Sequence, residues 1–186
     1  MSLRVISGAA KGRRLRSVAG DGTRPITDRV KEALFDIIGA DVVDTNWWDM
    51  FAGTGAVGIE ALSRGAAAVR FTEFGRAALD TIRQNLQATQ LADRAEVRRA
   101  DAFSLLAAGP DAQFHYVYIA PPQYKDLWAK ALSALDRNIG WSTADAWIIA
   151  QIAPSEYREL SLENMREFDQ RKYGTTQLLF FDRTPA

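Results

Sequence analysis

The chain has no cysteine among its 186 residues. Disulfides, thiolate nucleophiles and cysteine-bound zinc are therefore excluded. There is one histidine, His115, which excludes a histidine cluster for a metal, so no metal site is expected. No apolar run approaches the ~20 residues that a membrane helix needs. Residues 1–16 are polar and basic and lack the apolar stretch of a signal peptide, so a cytoplasmic protein is expected. Net charge is also absent, since 23 basic residues face 23 acidic ones.

That balance conceals an asymmetry. Residues 1–31 carry eight basic and two acidic side chains, leaving +6 at this end and −6 over the rest. A basic end on an acidic body suits contact with a polyanion. Charge alone is equally compatible with a solvated arm.

What is present is a regular alternation. "LRVISGAAKGRRLRSV" alternates weakly around Gly8 and Gly12 and predicts a β-hairpin with basic side chains along one arm. Thr27 is placed to cap a helix whose apolar side is Val30, Ala33, Leu34, Ile37 and Ile38. "WWDMFAGTGAVGIEAL" reads as strand, glycine loop and helix. "AAVRFTEF", "AEVRRAD", "FHYVYIA" and "AWIIAQI" read as further strands. Helical spacing falls between them, including residues 124–135. "MREFDQRKYGTTQLLFFD" predicts two last strands joined near Gly174. Alternating strands and helices imply a mainly parallel sheet covered on both faces, with the terminal pair letting one edge strand run antiparallel. The expected organisation is a basic hairpin over residues 1–22 and an α/β domain over 23–186.

Gly53, Gly55 and Gly58 form G-x-G-x-x-G after a strand and before a helix. Glycines there allow a tight turn and close approach of a ligand. The spacing serves dinucleotides as well as S-adenosylmethionine. Asp49, four residues before the first glycine, favours the latter, because its carboxylate could hold a methionine ammonium. Glu73 ends the second strand, where a carboxylate can accept from both ribose hydroxyls. NAD-binding domains share that acid, so it does not discriminate. Asp101 ends the third strand, placed to accept from an adenine amino group. Phe51 and Ala102, next to these groups, complete the candidate cofactor set. Any one of the three acids could be a plain cap or turn residue. Three at the carboxyl ends of successive strands lie where open α/β sheets bind ligands.

The fourth strand ends at the same edge in Ala120, Pro121, Pro122, Gln123 and Tyr124. Many amino-group methyltransferases carry an acid or asparagine, two prolines and an aromatic residue here. An exocyclic base nitrogen has its lone pair delocalised into the ring. It needs fixed hydrogen-bond acceptors to attack a methyl sulfonium, and an aromatic ring to stack on the base. His115, in the same strand, reads as a core or edge residue, and Trp47 and Trp48 as packing.

"RVISGAAKGRRL", "RPITDRVKEALFDII", "DMFAGTGAVGIEALSRGA" and "TEFGRAALDTIRQNL" resemble the RsmD family, which methylates guanine N2 in bacterial 16S rRNA. The resemblance covers nearly the whole chain, and residues 24–32 are its most specific motif. It implies a Rossmann-like class I methyltransferase sheet of seven strands, one of them antiparallel, with an N-terminal β-hairpin for RNA. It implies S-adenosylmethionine as cofactor, surrounded by Asp49, Gly53, Gly55, Glu73 and Asp101. It implies 16S rRNA or the small ribosomal subunit as partner, with Lys11, Arg13, Arg14, Arg16, Arg24 and Arg29 as candidate RNA contacts. Pro121, Pro122, Gln123 and Tyr124 become the candidate catalytic loop. The family's acid before the prolines is replaced by Ala120, and Gln123 separates the prolines from Tyr124. A non-catalytic RNA-binding or ribosome-assembly factor is therefore the alternative. A dehydrogenase using NAD is a third reading, which leaves the proline pair and the basic end unexplained.

Overall fold

Thr27 accepts a hydrogen bond from the Val30 amide at 3.3 Å, so helix α1 (Asp28–Ile38) starts with the side-chain cap expected for it. Its buried side is rotated from the expected one. Val30, Leu34 and Ile38 are buried as expected, but Ala33 and Ile37 are only half-buried, and Lys31 and Phe35 face inward with the first three. A lysine can lie there because Glu60 sits 3.2 Å from its Nζ.

The computed structural model describes residues 3–18 and 26–184. After α1 the chain alternates β1 (Asn46–Asp49), α2 (Ala56–Ser63), β2 (Ala68–Glu73), α3 (Arg76–Thr89), β3 (Ala95–Arg99), α4 (Ala102–Ala108), β4 (Phe114–Ile119), α5 (Leu127–Arg137) and β5 (Ser142–Ile152). It closes with β6 (Met165–Tyr173) and β7 (Thr176–Arg183), joined at Gly174. The seven strands lie in the order β3-β2-β1-β4-β5-β7-β6. Strands β1 to β5 pair in parallel, and β7 is antiparallel to both β5 and β6. The single antiparallel strand was expected at the sheet edge. It is instead inserted between β5 and β6, because a tight hairpin can only lay β7 antiparallel beside β6. The more apolar strand of the pair, β7, takes the inner place, with Leu178, Leu179, Phe180 and Phe181 buried.

Two hydrophobic layers cover the sheet. Trp47 and Trp48 point to opposite faces, as neighbours in a strand must. Trp47 joins α1, α2, α3 and the N-terminal segment, whereas Trp48 joins α4 and α5. Every residue of α2 is buried. A surface helix keeps a solvent face; α2 has none because the N-terminal segment lies over it.

That segment is a short hairpin, with one antiparallel bridge between Arg4 and Arg14. Backbone bonds from Val5 to Arg13, Gly12 to Val5 and Leu15 to Leu3 close it. Leu3, Val5, Ala10 and Leu15 enter the same core as α1 and α2. The Ile6 and Ser7 amides donate to Glu60 at 2.9 and 3.0 Å, and the Ala9 amide donates to the Ser63 carbonyl at 2.8 Å. Lys11, Arg13, Arg14 and Arg16 all remain exposed. The hairpin thus presents a basic rim from a rigid mount. Arg24 and the expected boundary after residue 22 lie outside the described residues.

Gly8 makes the closest approach. Its φ is +82°, and a Cβ there would stand 1.8 Å from the Ser63 carbonyl oxygen. Gly8→Ala is expected to destabilise the fold by at least ~2 kcal/mol, since left-handed strain and a backbone clash act together. Urea melts measure the loss. Unchanged stability would mean that the hairpin does not dock on α2 in solution.

Candidate active site

The strand order reverses between β1 and β4, where the chain goes to β2 on one side and to β4 on the other. Open α/β sheets bind ligands in the crevice at such a point, beyond the carboxyl ends of the strands. The glycine loop follows β1 there, and the proline pair follows β4. The two motifs are 60 to 70 residues apart in the chain, yet the Met50 amide bonds to the Tyr118 carbonyl at 3.0 Å.

Gly53 and Gly55 have φ of +54° and +77°, a conformation that glycine adopts without cost. Gly58 serves a different purpose. A Cβ there would lie 2.3 Å from the Phe71 ring, so this glycine lets α2 pack on β2. Asp49 stands beneath the loop, 2 % exposed, and accepts from the Gly58 amide at 3.2 Å. Burial pushes its carboxyl up to about 7, against the pull of the Gly58 amide, and the charge of Glu73 pushes the same way. Among the described residues, the groups acting on this carboxyl are an amide and another acid, with no cation. Such a group suits a cation that a ligand brings.

Glu73 links two loops. Its Oε2 accepts from the Gly53 amide at 3.0 Å, and its Oε1 accepts from the Phe74 and Gly75 amides at 2.8 and 3.0 Å. Each carboxylate oxygen offers two lone pairs, so Oε2 retains room for one more donor. Asp101 lies two residues past the end of β3, as the N-cap of α4, where its Oδ1 accepts from the Ser104 amide at 2.8 Å and the Ser104 hydroxyl at 3.1 Å. It is exposed, and its other oxygen is not used by the cap. Ala102 is buried behind it, and the Phe51 ring lies 6.0 Å from that of Phe103.

After β4, Ala120 is half-buried, Pro121 is buried, and Pro122, Gln123 and Tyr124 are exposed. Ala120 and Pro121 each precede a proline, which restricts both to extended backbone. The expected helix over 124–135 begins later, at Leu127. Tyr124 and Asp126 instead have φ of +62° and +54° in a turn. A non-glycine residue in this region needs support, and Glu156 supplies it. Glu156 Oε1 accepts from the Tyr124 amide at 2.7 Å, and its Oε2 accepts from the Ala153 amide at 3.1 Å. Arg158 pairs with Asp126 at 3.0 Å. The Tyr124 ring, 74 % exposed, is left facing outward.

Two further residues escape sequence reasoning. Asn85, fully buried in α3, donates to the Thr54 carbonyl at 2.9 Å and exchanges two bonds with the Arg16 backbone. It ties the glycine loop to the basic hairpin. Glu156, 32 residues beyond Tyr124, holds the proline loop. Asn85 belongs to no local pattern, and the local role of Glu156, closing the turn at Ala153, does not announce its bond to Tyr124. His115 lies at the start of β4, away from the crevice, where its Nδ1 accepts from the Asn46 amide at 3.1 Å. Arg29 is exposed on α1. Among the described residues no cluster of acids or histidine could hold a metal ion, and no helix is long and apolar enough to cross a membrane.

The family model described as "Conserved hypothetical protein 95" matches residues 3–182. Ribosomal RNA small subunit methyltransferase D of Escherichia coli (strain K12) is 38% identical over 149 residues, which cover 80% of this chain and 74% of that one. The protein of the same name from Haemophilus influenzae is 34% identical over 152 residues, covering 80% of this chain and 78% of the other. The solved structure of yhhF from Escherichia coli superposes with a TM-score of 0.85 at 31% identity, covering 98% of both chains. With a match over nearly its full length and relatives of this similarity, the chain belongs to the conserved hypothetical protein 95 family, the RsmD family that its motifs resemble.

Proposed function

We propose that the protein is an S-adenosylmethionine-dependent rRNA methyltransferase, acting on a guanine N2 of 16S rRNA. The observation that carries this reading is the meeting, at the switch point, of a glycine loop over a buried acid with a stiff proline loop bearing an outward aromatic ring. The names of the relatives support the rRNA substrate.

Bound S-adenosylmethionine supplies a methyl group already activated on a sulfonium. Asp49 would hold its ammonium, Glu73 its ribose through the spare capacity of Oε2, and Asp101 its adenine amino group through the oxygen that the cap leaves unused. Gly53 and Gly55 bring the backbone close, and Phe51 and Ala102 border the site. Tyr124 stacks on the target base. The backbone carbonyls of Ala120 and Pro121, fixed by the prolines, accept hydrogen bonds from the exocyclic amine and localise its lone pair. Gln123 offers a side-chain acceptor in the same loop. Lys11, Arg13, Arg14, Arg16 and Arg29 face phosphates. Ala120, which brings no carboxylate, favours the second reading, an RNA-binding assembly factor that has kept the fold without the chemistry. Calorimetry with S-adenosylmethionine and with NADH tests the cofactor. Transfer of labelled methyl to 16S rRNA or to assembled small subunits tests the reaction. Binding without transfer would select the second reading.

Asp49 gives the cofactor reading a pH signature. Its carboxyl is raised to about 7 in the free protein, so the folded state holds its proton between about 4 and 7 while the unfolded chain has lost it. This group therefore stabilises the fold less as pH rises through that window. An ammonium beside it favours the ionised form and releases the proton. S-adenosylmethionine affinity should then rise roughly fivefold from pH 6 to 7. Asp49→Asn should abolish that rise and weaken binding by at least ~1.5 kcal/mol. Titrations in buffers of different ionisation heat read the proton. A parent without pH dependence would remove Asp49 from the ammonium site.

A further inference from the structure

The hairpin rim lies on one face of the sheet. The other face carries a second basic surface that no motif announces. Between α4 and α5 runs an open groove of about 590 Å³, lined by Phe103, Leu127, Lys130, Ser133, Arg137 and Arg158, with two alanines and, among the described residues, no acid. Lys130 and Arg137 are exposed and enter no ion pair among the described residues. They stand seven residues apart on α5, two turns and roughly 10.5 Å along the same side of the helix. The one acid in the last turns of α5, Asp136, is turned inward, where its two oxygens accept from the Glu163 and Asn164 amides. The acid at the other end of α5, its N-cap Asp126, pairs with Arg158, so neither acid is paired with Lys130 or Arg137. Phe103, Leu127 and Ala134 give the groove an apolar floor.

We infer that this groove is a second RNA site, holding the backbone phosphates of the strand that flanks the target nucleotide. The inference rests on the rRNA-methyltransferase reading. Position supports it. Leu127 begins α5 directly after the turn of Tyr124, and Arg158 is joined to that turn through Asp126. The groove thus opens beside the loop that would take the base. The hairpin rim lies across the sheet edge from it. A strand that presents one base to Tyr124 leaves by the groove on one side and meets the rim on the other. Chemistry supports it as well. S-adenosylmethionine carries no phosphate, so unpaired cations over an apolar floor match a nucleic-acid strand, with sugars or bases on the floor and phosphates on the rim.

Filter binding of 16S rRNA and of assembled small subunits over a salt series tests the site. Lys130→Ala with Arg137→Ala should weaken binding on the order of tenfold and lower the magnitude of the salt slope by about two, one for each lost phosphate contact. Lys130→Glu with Arg137→Glu should weaken it further. Both should leave S-adenosylmethionine affinity and the thermal melt unchanged, and the loss should multiply with that from Ala at Lys11, Arg13, Arg14 and Arg16. Parental affinity and slope in both groove variants, with the hairpin variant impaired, would overturn the groove and leave the RNA reading standing. Loss of cofactor affinity along with RNA affinity would overturn it by assigning the groove to the cofactor. A parent that holds neither RNA substrate would overturn both.

Discussion

Replacing Glu60 by alanine is expected to cost the fold about 3–5 kcal/mol, a large share of a domain's stability. Glu60 has no exposure, and four donors converge on it. Oε1 accepts from the Ser7 amide at 3.0 Å and Arg64 Nε at 2.8 Å; Oε2 accepts from the Ile6 amide at 2.9 Å and lies 3.2 Å from Lys31 Nζ. Alanine leaves a buried ammonium whose remaining partner is the Arg4 carbonyl, and it orphans two amides. Burial already pulls the Lys31 pKa below its ordinary value, while the Glu60 charge holds it up. Without Glu60 it falls further. Between that lowered value and the ordinary 10.5 the unfolded chain binds more protons than the folded one. The variant should therefore regain stability as pH rises through this range. Glu60→Gln keeps one acceptor and should lose less. Urea melts at neutral and alkaline pH measure both effects. Tryptic cleavage within the hairpin should accelerate in parallel. A loss below ~1 kcal/mol, or no alkaline recovery, would mean that water reaches the pair in solution.

Ala120→Asp is expected to speed methyl transfer about tenfold to a few hundredfold, with S-adenosylmethionine affinity nearly unchanged. A charged acceptor is worth about 1.5–3 kcal/mol, and each 1.36 kcal/mol off a barrier is tenfold. The prolines already hold Ala120 extended at the end of β4, so the site is organised except for one group. The gain should be largest near neutral pH, where the new carboxylate is ionised. Ala120 is half-buried against the core, so a carboxylate that finds no partner there would lower the melting temperature instead. Single-turnover transfer with melts as control decides. A folded, cofactor-binding variant that is slower than the parent would place Gln123 as the working acceptor.

Much of this fold is legible in the sequence. The period-two apolar strands, the Thr27 cap and the glycine loop are local signals, and each occurs where its pattern lies. Trp47 and Trp48 read as packing and are fully buried. What is not legible depends on partners distant in the chain. Lys31 looks like a solvated helix residue until Glu60, 29 residues later, is brought against it. The turn at Tyr124 carries helix-like spacing, and only Glu156 explains why the backbone departs from it. The inner position of β7 follows from sheet assembly, which strand periodicity does not encode. For the site, the three acids sit near the crevice edge as their strand ends imply. Their present hydrogen bonds, to Gly58, to the Glu73 loop amides and to Ser104, are tertiary or capping details.

Nucleoside mass mapping of 16S rRNA decides whether the protein methylates a guanine N2. Small-subunit rRNA from cells lacking the protein would be incubated, naked and as assembled subunits, with the purified protein and S-adenosylmethionine, and compared with rRNA from intact cells. One guanine should carry an N2-methyl group in intact cells, lack it without the protein, and regain it in the reaction. Identical maps from both cells, with no methyl added to either substrate by a folded, cofactor-binding protein, would contradict that expectation.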